Sequence, residues 1–121
     1  IFEGGLRAAQ VKQAKAIYDQ AAANERSVRD AAAVELEKSW ALLQDSIESV
    51  GVQRKVLDAS QERAKISEAQ YAIGFITFDN WIIIQDNLVN AKRGYLDVQA
   101  NALLAEAEWT KAKGEVLEYA Q

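Results

Sequence analysis

Apolar positions along this chain fall into two long runs at helical spacing, separated by one short break. The second run is the more regular. Trp81, Ile84, Leu88, Ala91, Tyr95, Val98, Ala102, Ala105, Trp109, Ala112, Val116 and Tyr119 alternate steps of three and four, the spacing of a sustained heptad seam. Beside it Ile82, Val89, Leu96, Leu103, Thr110 and Leu117 repeat at sevens. At 100° per residue the two stripes cover an arc of roughly 160°, too wide for a two-stranded coil alone. This helix is therefore expected to touch more than one neighbour.

The first run, Leu6 to Tyr71, contains no residue that forces a stop. Val11, Ala14, Tyr18, Ala21 and Val28 take steps of three and four, with Glu25 filling one slot. From Val28 through Ala32 and Leu36 to Trp40 every step is four, and from Trp40 through Leu43, Ile47, Val50, Leu57 and Ala64 to Tyr71 the heptad resumes. Extra steps of four unwind a left-handed supercoil, so the middle of this helix is expected to run straighter than its ends. Gly51 lies inside the run and costs about 1 kcal/mol relative to alanine, which a long packed helix absorbs.

The break is Tyr71-Ala72-Ile73-Gly74-Phe75-Ile76-Thr77-Phe78. Gly74 can adopt the left-handed conformation that closes a helix C-terminus without a Cβ penalty. Thr77 can cap a second helix, and Asp79 puts negative charge at the positive end of its dipole. So short a connection turns the second helix back antiparallel on the first. The expected fold is all-α, a long antiparallel helical hairpin bent near Gly74. Residues 1–5 form the end of a strand and a glycine loop, 6–72 a long helix, 73–77 the tip turn and 78–121 the returning helix. At 1.5 Å per residue the arms are unequal by roughly 30 Å. Leu6 to Arg26 is left without an intrachain partner, and its many alanines bury too little area to hold it alone.

Composition agrees and adds exclusions. In 121 residues there is no proline, and Ala, Glu, Lys, Gln, Leu and Arg dominate, as in long helices and coiled coils. The net charge of −4 is small and the signs are interspersed, which argues against nucleic acid as a partner. Histidine and cysteine are absent, so no His/Cys metal site, disulfide or thiolate chemistry is possible. No apolar run reaches the roughly 18 residues of a membrane span. Methionine is absent even at position 1, so the chain is expected to be processed or an excised piece of a larger protein. Glu35/Lys38, Glu62/Lys65 and Glu108/Lys111 have the spacing of surface ion pairs. Ser39, Ser46, Ser49, Ser60 and Ser67 have no base to activate them. No enzyme and no cofactor is expected.

Tyr71-Ala72-Ile73-Gly74 with Thr77, then Leu88-x-Asn90-Ala91-Lys92 and Gly114, resembles the second half of each repeat in TolC-type outer-membrane efflux proteins. Ile1-Phe2-Glu3-Gly4-Gly5-x-Arg7 is similar to the family's Leu-Phe-Asp-Gly-Gly-x-Arg passage, where a membrane β-barrel strand enters the periplasmic α-barrel. The resemblance covers essentially the whole chain. It implies a homotrimeric export duct in the outer membrane of a Gram-negative bacterium, of which this segment is periplasmic tunnel wall and tip. It implies a periplasmic adaptor (membrane fusion) protein as partner, with an inner-membrane pump engaged indirectly. The adaptor contact maps onto Ala72, Ile73, Gly74, Phe75, Ile76 and Thr77. Phe75, Ile76, Phe78, Trp81 and Ile82 are more apolar bulk than a bare tip needs, which favours a contact surface. The plainer alternative is that Gly74 and Thr77 only cap helices while Ile73 and Ile76 close the hairpin core. Where many relatives carry constricting aspartates, this chain has Asn80 and Ile83, which implies a neutral or apolar constriction, with Ile84 a further candidate. Neighbouring Asp79 could substitute only if the helix were rotated.

The competing expectation is a free-standing coiled-coil module, either an adaptor's own hairpin or a scaffold. An adaptor hairpin would have lipoyl-like β flanks and a polar tip, and here the tip is aromatic. A membrane-surface helix is disfavoured because the polar faces mix both charges. With its stripes uncovered, the isolated chain is expected to self-associate into a four-helix arrangement.

Overall fold

The computed structural model describes residues 2–119, with side chains over 4–114. Helix α1 runs Phe2–Ala72 and α2 runs Phe78–Tyr119, 71 and 42 residues. At 1.5 Å per residue they are about 105 and 63 Å long. The chain doubles back on itself once. Trp40 meets Trp109 far from the bend, with ring centroids 4.9 Å apart, and Tyr71 stacks on Trp81 beside it at 5.2 Å.

The α2 seam forms where the spacing places it. Ala91, Ala105 and Ala112 are buried, and Trp81, Ile84, Leu88, Tyr95, Val98, Ala102 and Trp109 are half-buried. Val116, Leu117 and Tyr119 lie outside the described side chains. On α1 the seam differs from the expected one. Leu43, Val50, Leu57 and Ala64 face α2, but the alternate places belong to Ser39, Ser46, Gln53, Ser60 and Ser67, while Trp40 and Ile47 sit on the flank, half exposed. The cause is steric. Opposite alanines draw the helices close, and the gap left admits a serine but not an indole.

The hydroxyls of Ser39, Ser46 and Ser67 are satisfied without crossing the seam. Ser39 Oγ donates to the Leu36 carbonyl at 3.0 Å, Ser46 Oγ to Leu42 at 2.7 Å and Ser67 Oγ to Ala64 at 2.7 Å. Buried hydroxyls without partners would each cost about 1–3 kcal/mol. Among the described residues no side-chain hydrogen bond or ion pair joins α1 to α2. Shape and apolar contact hold the hairpin together.

Three expectations need correction. Phe2–Gly5 continue α1 rather than forming a strand end and loop. No strand exists among the described residues for them to pair with, and as the first turn of a helix their carbonyls accept helical bonds instead. The seam steps from Leu36 to Ser39, not Trp40, so the run of fours is shorter than expected. The pairs Glu35/Lys38, Glu62/Lys65 and Glu108/Lys111 do not form. Among the described residues the ion pair present is Arg29–Glu25 at 2.7 Å, largely exposed, and it contributes at most a few tenths of a kcal/mol.

Gly94, beside the seam, lies against the Gln53 side chain of α1. A Cβ there would collide with the Gln53 amide nitrogen, the end of a flexible side chain. Because that amide can swing aside, Gly94→Ala is expected to leave stability unchanged or raise it by up to about 1 kcal/mol through helix propensity. Urea denaturation at fixed protein concentration checks this, and a loss above about 1 kcal/mol would mean Gln53 is pinned.

Beyond the reach of α2, α1 is bare. From Gly4 to Ala31 every residue except Ala22 is exposed, including Leu6, Val11, Ile17 and Tyr18.

Candidate functional site

The bend is built by complementary stop and start signals. Gly74 has φ +74°, a conformation that costs a residue with a Cβ roughly 1–2 kcal/mol. Around it Phe75 N–H donates to the Gln70 carbonyl at 2.8 Å and Gly74 N–H to the Tyr71 carbonyl at 3.0 Å. These two bonds make a complete Schellman closure of α1. Thr77 then opens α2. Its Oγ1 accepts from Asn80 N–H at 3.3 Å and its carbonyl from Trp81 N–H at 3.0 Å, the geometry of an N-cap. Gly74 and Thr77 therefore cap helices, as the plainer alternative holds.

An aromatic clasp sits immediately behind the bend. Tyr71 and Trp81 stack with 18° between their planes, and Phe78 packs against both at 6.0 and 5.8 Å. Such pairs contribute roughly 0.5–1.5 kcal/mol each beyond area burial. Trp81 Nε1 is buried with no acceptor. The clasp was not anticipated as a unit. Its signal is three aromatics placed on the two facing helix ends, which the apolar pattern records only as seam positions. Trp81 is thereby largely committed to the hairpin's interior rather than to its outer surface.

What remains outside is apolar and rigidly presented. Ile73 is 79% exposed and Phe75 is 75% exposed, while Ile76 is half-buried between the helix ends. Of the two isoleucines expected to close the core, only Ile76 goes inward. Ala72 and Thr77 are exposed, and so are Asn80 and Ile83 on the first turns of α2. The site residues thus share one end of the rod, with Asn80 and Ile83 on its wall just past the turn.

Charge is distributed unevenly about this end. Lys65 and Lys92 are the last and next basic residues, so positions 66–91 hold no Lys or Arg, while Glu68, Asp79 and Asp86 are all present and exposed. The fourteen basic side chains all lie elsewhere, among fifteen of the eighteen acids. At the tip the charge is of one sign; along the shaft it nearly balances.

Each side of the shaft also carries a groove. One is lined by Leu43, Ile47, Leu103 and Trp109 and is apolar. The opposite one mixes Leu42 and Leu104 with Asp45, Ser49 and Asn101. No helix among the described residues is long and apolar enough to cross a membrane.

A family model described as outer membrane efflux protein matches residues 1–115. No curated protein and no solved structure is similar enough to the chain to count as a match.

Proposed function

Because the chain belongs to the outer membrane efflux protein family, whose members are channel components, we propose that it is a periplasmic stretch of such a channel. On this reading α1 and α2 form part of the tunnel wall, and the tip residues Ala72, Ile73, Gly74, Phe75, Ile76 and Thr77 dock a periplasmic adaptor. A homotrimer and an inner-membrane pump reached through that adaptor complete the export duct. A free-standing coiled-coil module does not account for a family match along 115 residues.

The observation that carries the wall assignment is that many of the hairpin's large apolar side chains lie outside its own seam. Val89, Leu96 and Leu103 are exposed on α2, and Val52, Val56 and Ile66 are exposed on α1. At 3.5 residues per turn the two sets lie on opposite sides of the seam. An apolar surface of this extent calls for cover, and helices on both sides supply it. The isolated chain is therefore expected to self-associate, as a four-helix arrangement or larger, in sedimentation equilibrium. A stable monomer at high micromolar concentration would remove the argument for lateral neighbours.

Asn80 and Ile83 form the constriction in this reading, and it is neutral. Their exposure just past the turn supports that placement. In the full-length channel, divalent cations are expected to leave the current unblocked. A block that Asn80→Ala abolishes would show instead that the tip coordinates cations.

A further inference from the structure

Although the shaft's charges nearly cancel in sum, they are segregated along it. Residues 4–18 hold Arg7, Lys12 and Lys15 and no Asp or Glu, and all three are exposed on the part of α1 that α2 does not reach. Residues 39–53 and 94–110 hold Asp45, Glu48, Asp97, Glu106 and Glu108 and no Lys or Arg. These two stretches lie at one level of the rod, since Trp40 meets Trp109 and Gln53 meets Gly94. We infer that the bare arm of one copy lies in the acidic groove of a second copy, each filling the other's groove in an antiparallel dimer. This pairing is a property of the chain by itself, beyond the channel reading.

Chemistry and register both select that occupant. The groove bearing Asp45 and Glu108 also carries Leu42, Val98 and Leu104, and it runs on past Glu48 and Val52. A helix suited to it needs apolar side chains flanked by positive charge. Arg7, Val11, Lys15 and Tyr18 supply both, at steps of four and three that set them on one helix face. The groove on the other side of the shaft has a single carboxylate, Glu106, and matches the arm less well. Lys12 and Asp45 are about 50 Å apart along α1, so no chain reaches its own groove. Turning a second copy end for end, about a two-fold axis near Val28 and Arg29, brings both arms to both grooves at once. Such an isologous contact is self-complementary and closes at two copies. In the register that sets Lys12 level with the second copy's Asp45, Asp19 falls level with its Lys38. Asp19 is the first acid after the basic stretch and Lys38 the first base beyond the groove, so the signs continue to match. Near the axis, Ala21–Ala23 and Ala31–Ala33 are small enough for the two α1 helices to cross closely. Complementary charge of this kind fixes register and suppresses other pairings.

The test uses the 121-residue chain, which has no cysteine of its own. A chain carrying Lys12→Cys is mixed with one carrying Asp45→Cys and treated with a short bis-maleimide. The mixture is expected to give a cross-linked pair, and either variant alone at least tenfold less, because like positions lie about 50 Å apart across the axis. Sedimentation equilibrium then compares charge reversals. Lys12→Glu/Lys15→Glu is expected to weaken the dimer at least tenfold, and adding Asp45→Lys/Glu48→Lys to restore it to within about threefold. All four side chains are exposed in the hairpin, so its fold is not at stake. Cross-linking of Lys12→Cys chains with one another would show parallel neighbours instead; it overturns the inference and leaves the wall reading standing. A charge reversal that leaves association unchanged also overturns it. A stable monomer overturns the inference and removes the argument for lateral neighbours as well.

Discussion

Ile73→Asp combined with Phe75→Asp is expected to cut export through the full-length channel at least tenfold, with the channel still assembled in the outer membrane. The two side chains are the most exposed of the large apolar ones described, so little folded-state contact is lost; surface changes of this kind usually stay within about 0.5 kcal/mol. The penalty falls on the contact instead. Pressing a carboxylate into an apolar interface costs several kcal/mol unless it is paired, and about 1.4 kcal/mol is a tenfold loss of affinity. Substrate accumulation in cells, compared with a shaft variant such as Gln61→Asp at equal channel abundance, reads this out. Export at the wild-type rate by the double variant would take the docking role away from the tip.

The second large effect is on the hairpin itself. Trp81→Ala is expected to lower stability by about 3 kcal/mol, the bottom of the range for large aromatic truncations because the indole is only half-buried. It removes both the stack on Tyr71 and the contact with Phe78, which leaves the Tyr71–Phe78 pair as the remaining aromatic contact between the ends of α1 and α2. Trp81→Phe separates ring from donor. It keeps an aromatic in the stack and removes an Nε1 that has no acceptor, so the loss is expected to stay below about 1 kcal/mol. Urea midpoints at one protein concentration, with near-ultraviolet circular dichroism for aromatic packing, check both values. A loss under 1 kcal/mol for Trp81→Ala would mean that the clasp contributes little.

How far the sequence could be read differs between the two helices, and side-chain size explains the difference. Along α2 the described seam residues are the ones its three-four spacing selects, from Trp81 to Ala112. Large apolar groups mark six of the ten contacts there, and alanines fill the other four. On α1 the same rule finds Leu43, Val50, Leu57 and Ala64 but puts Trp40 and Ile47 where Ser39 and Ser46 belong. A hydropathy pattern takes serine for a surface residue, yet Ser67 is only 1% exposed. Its hydroxyl is met by its own helix, and the close approach of α2 covers the rest of the side chain. That choice depends on both helices at once, so neither run reveals it alone. The turn was legible to the residue, since Gly74 and Thr77 are local signals that act through their own backbone. The Phe2–Gly5 segment was not, because whether it pairs as a strand or extends the helix depends on what lies beside it.

The most direct test of the docking-tip and tunnel-wall account is thiol labelling of the full-length channel, for which this segment contributes no cysteine of its own. Phe75→Cys is expected to react with a maleimide in the channel alone and to be protected once adaptor and pump are present. Leu103→Cys and Val56→Cys are expected to be protected throughout, covered by neighbouring helices of the wall. If Leu103→Cys and Val56→Cys label freely in the assembled channel, or if Phe75→Cys labels equally with and without its partners, the account is contradicted.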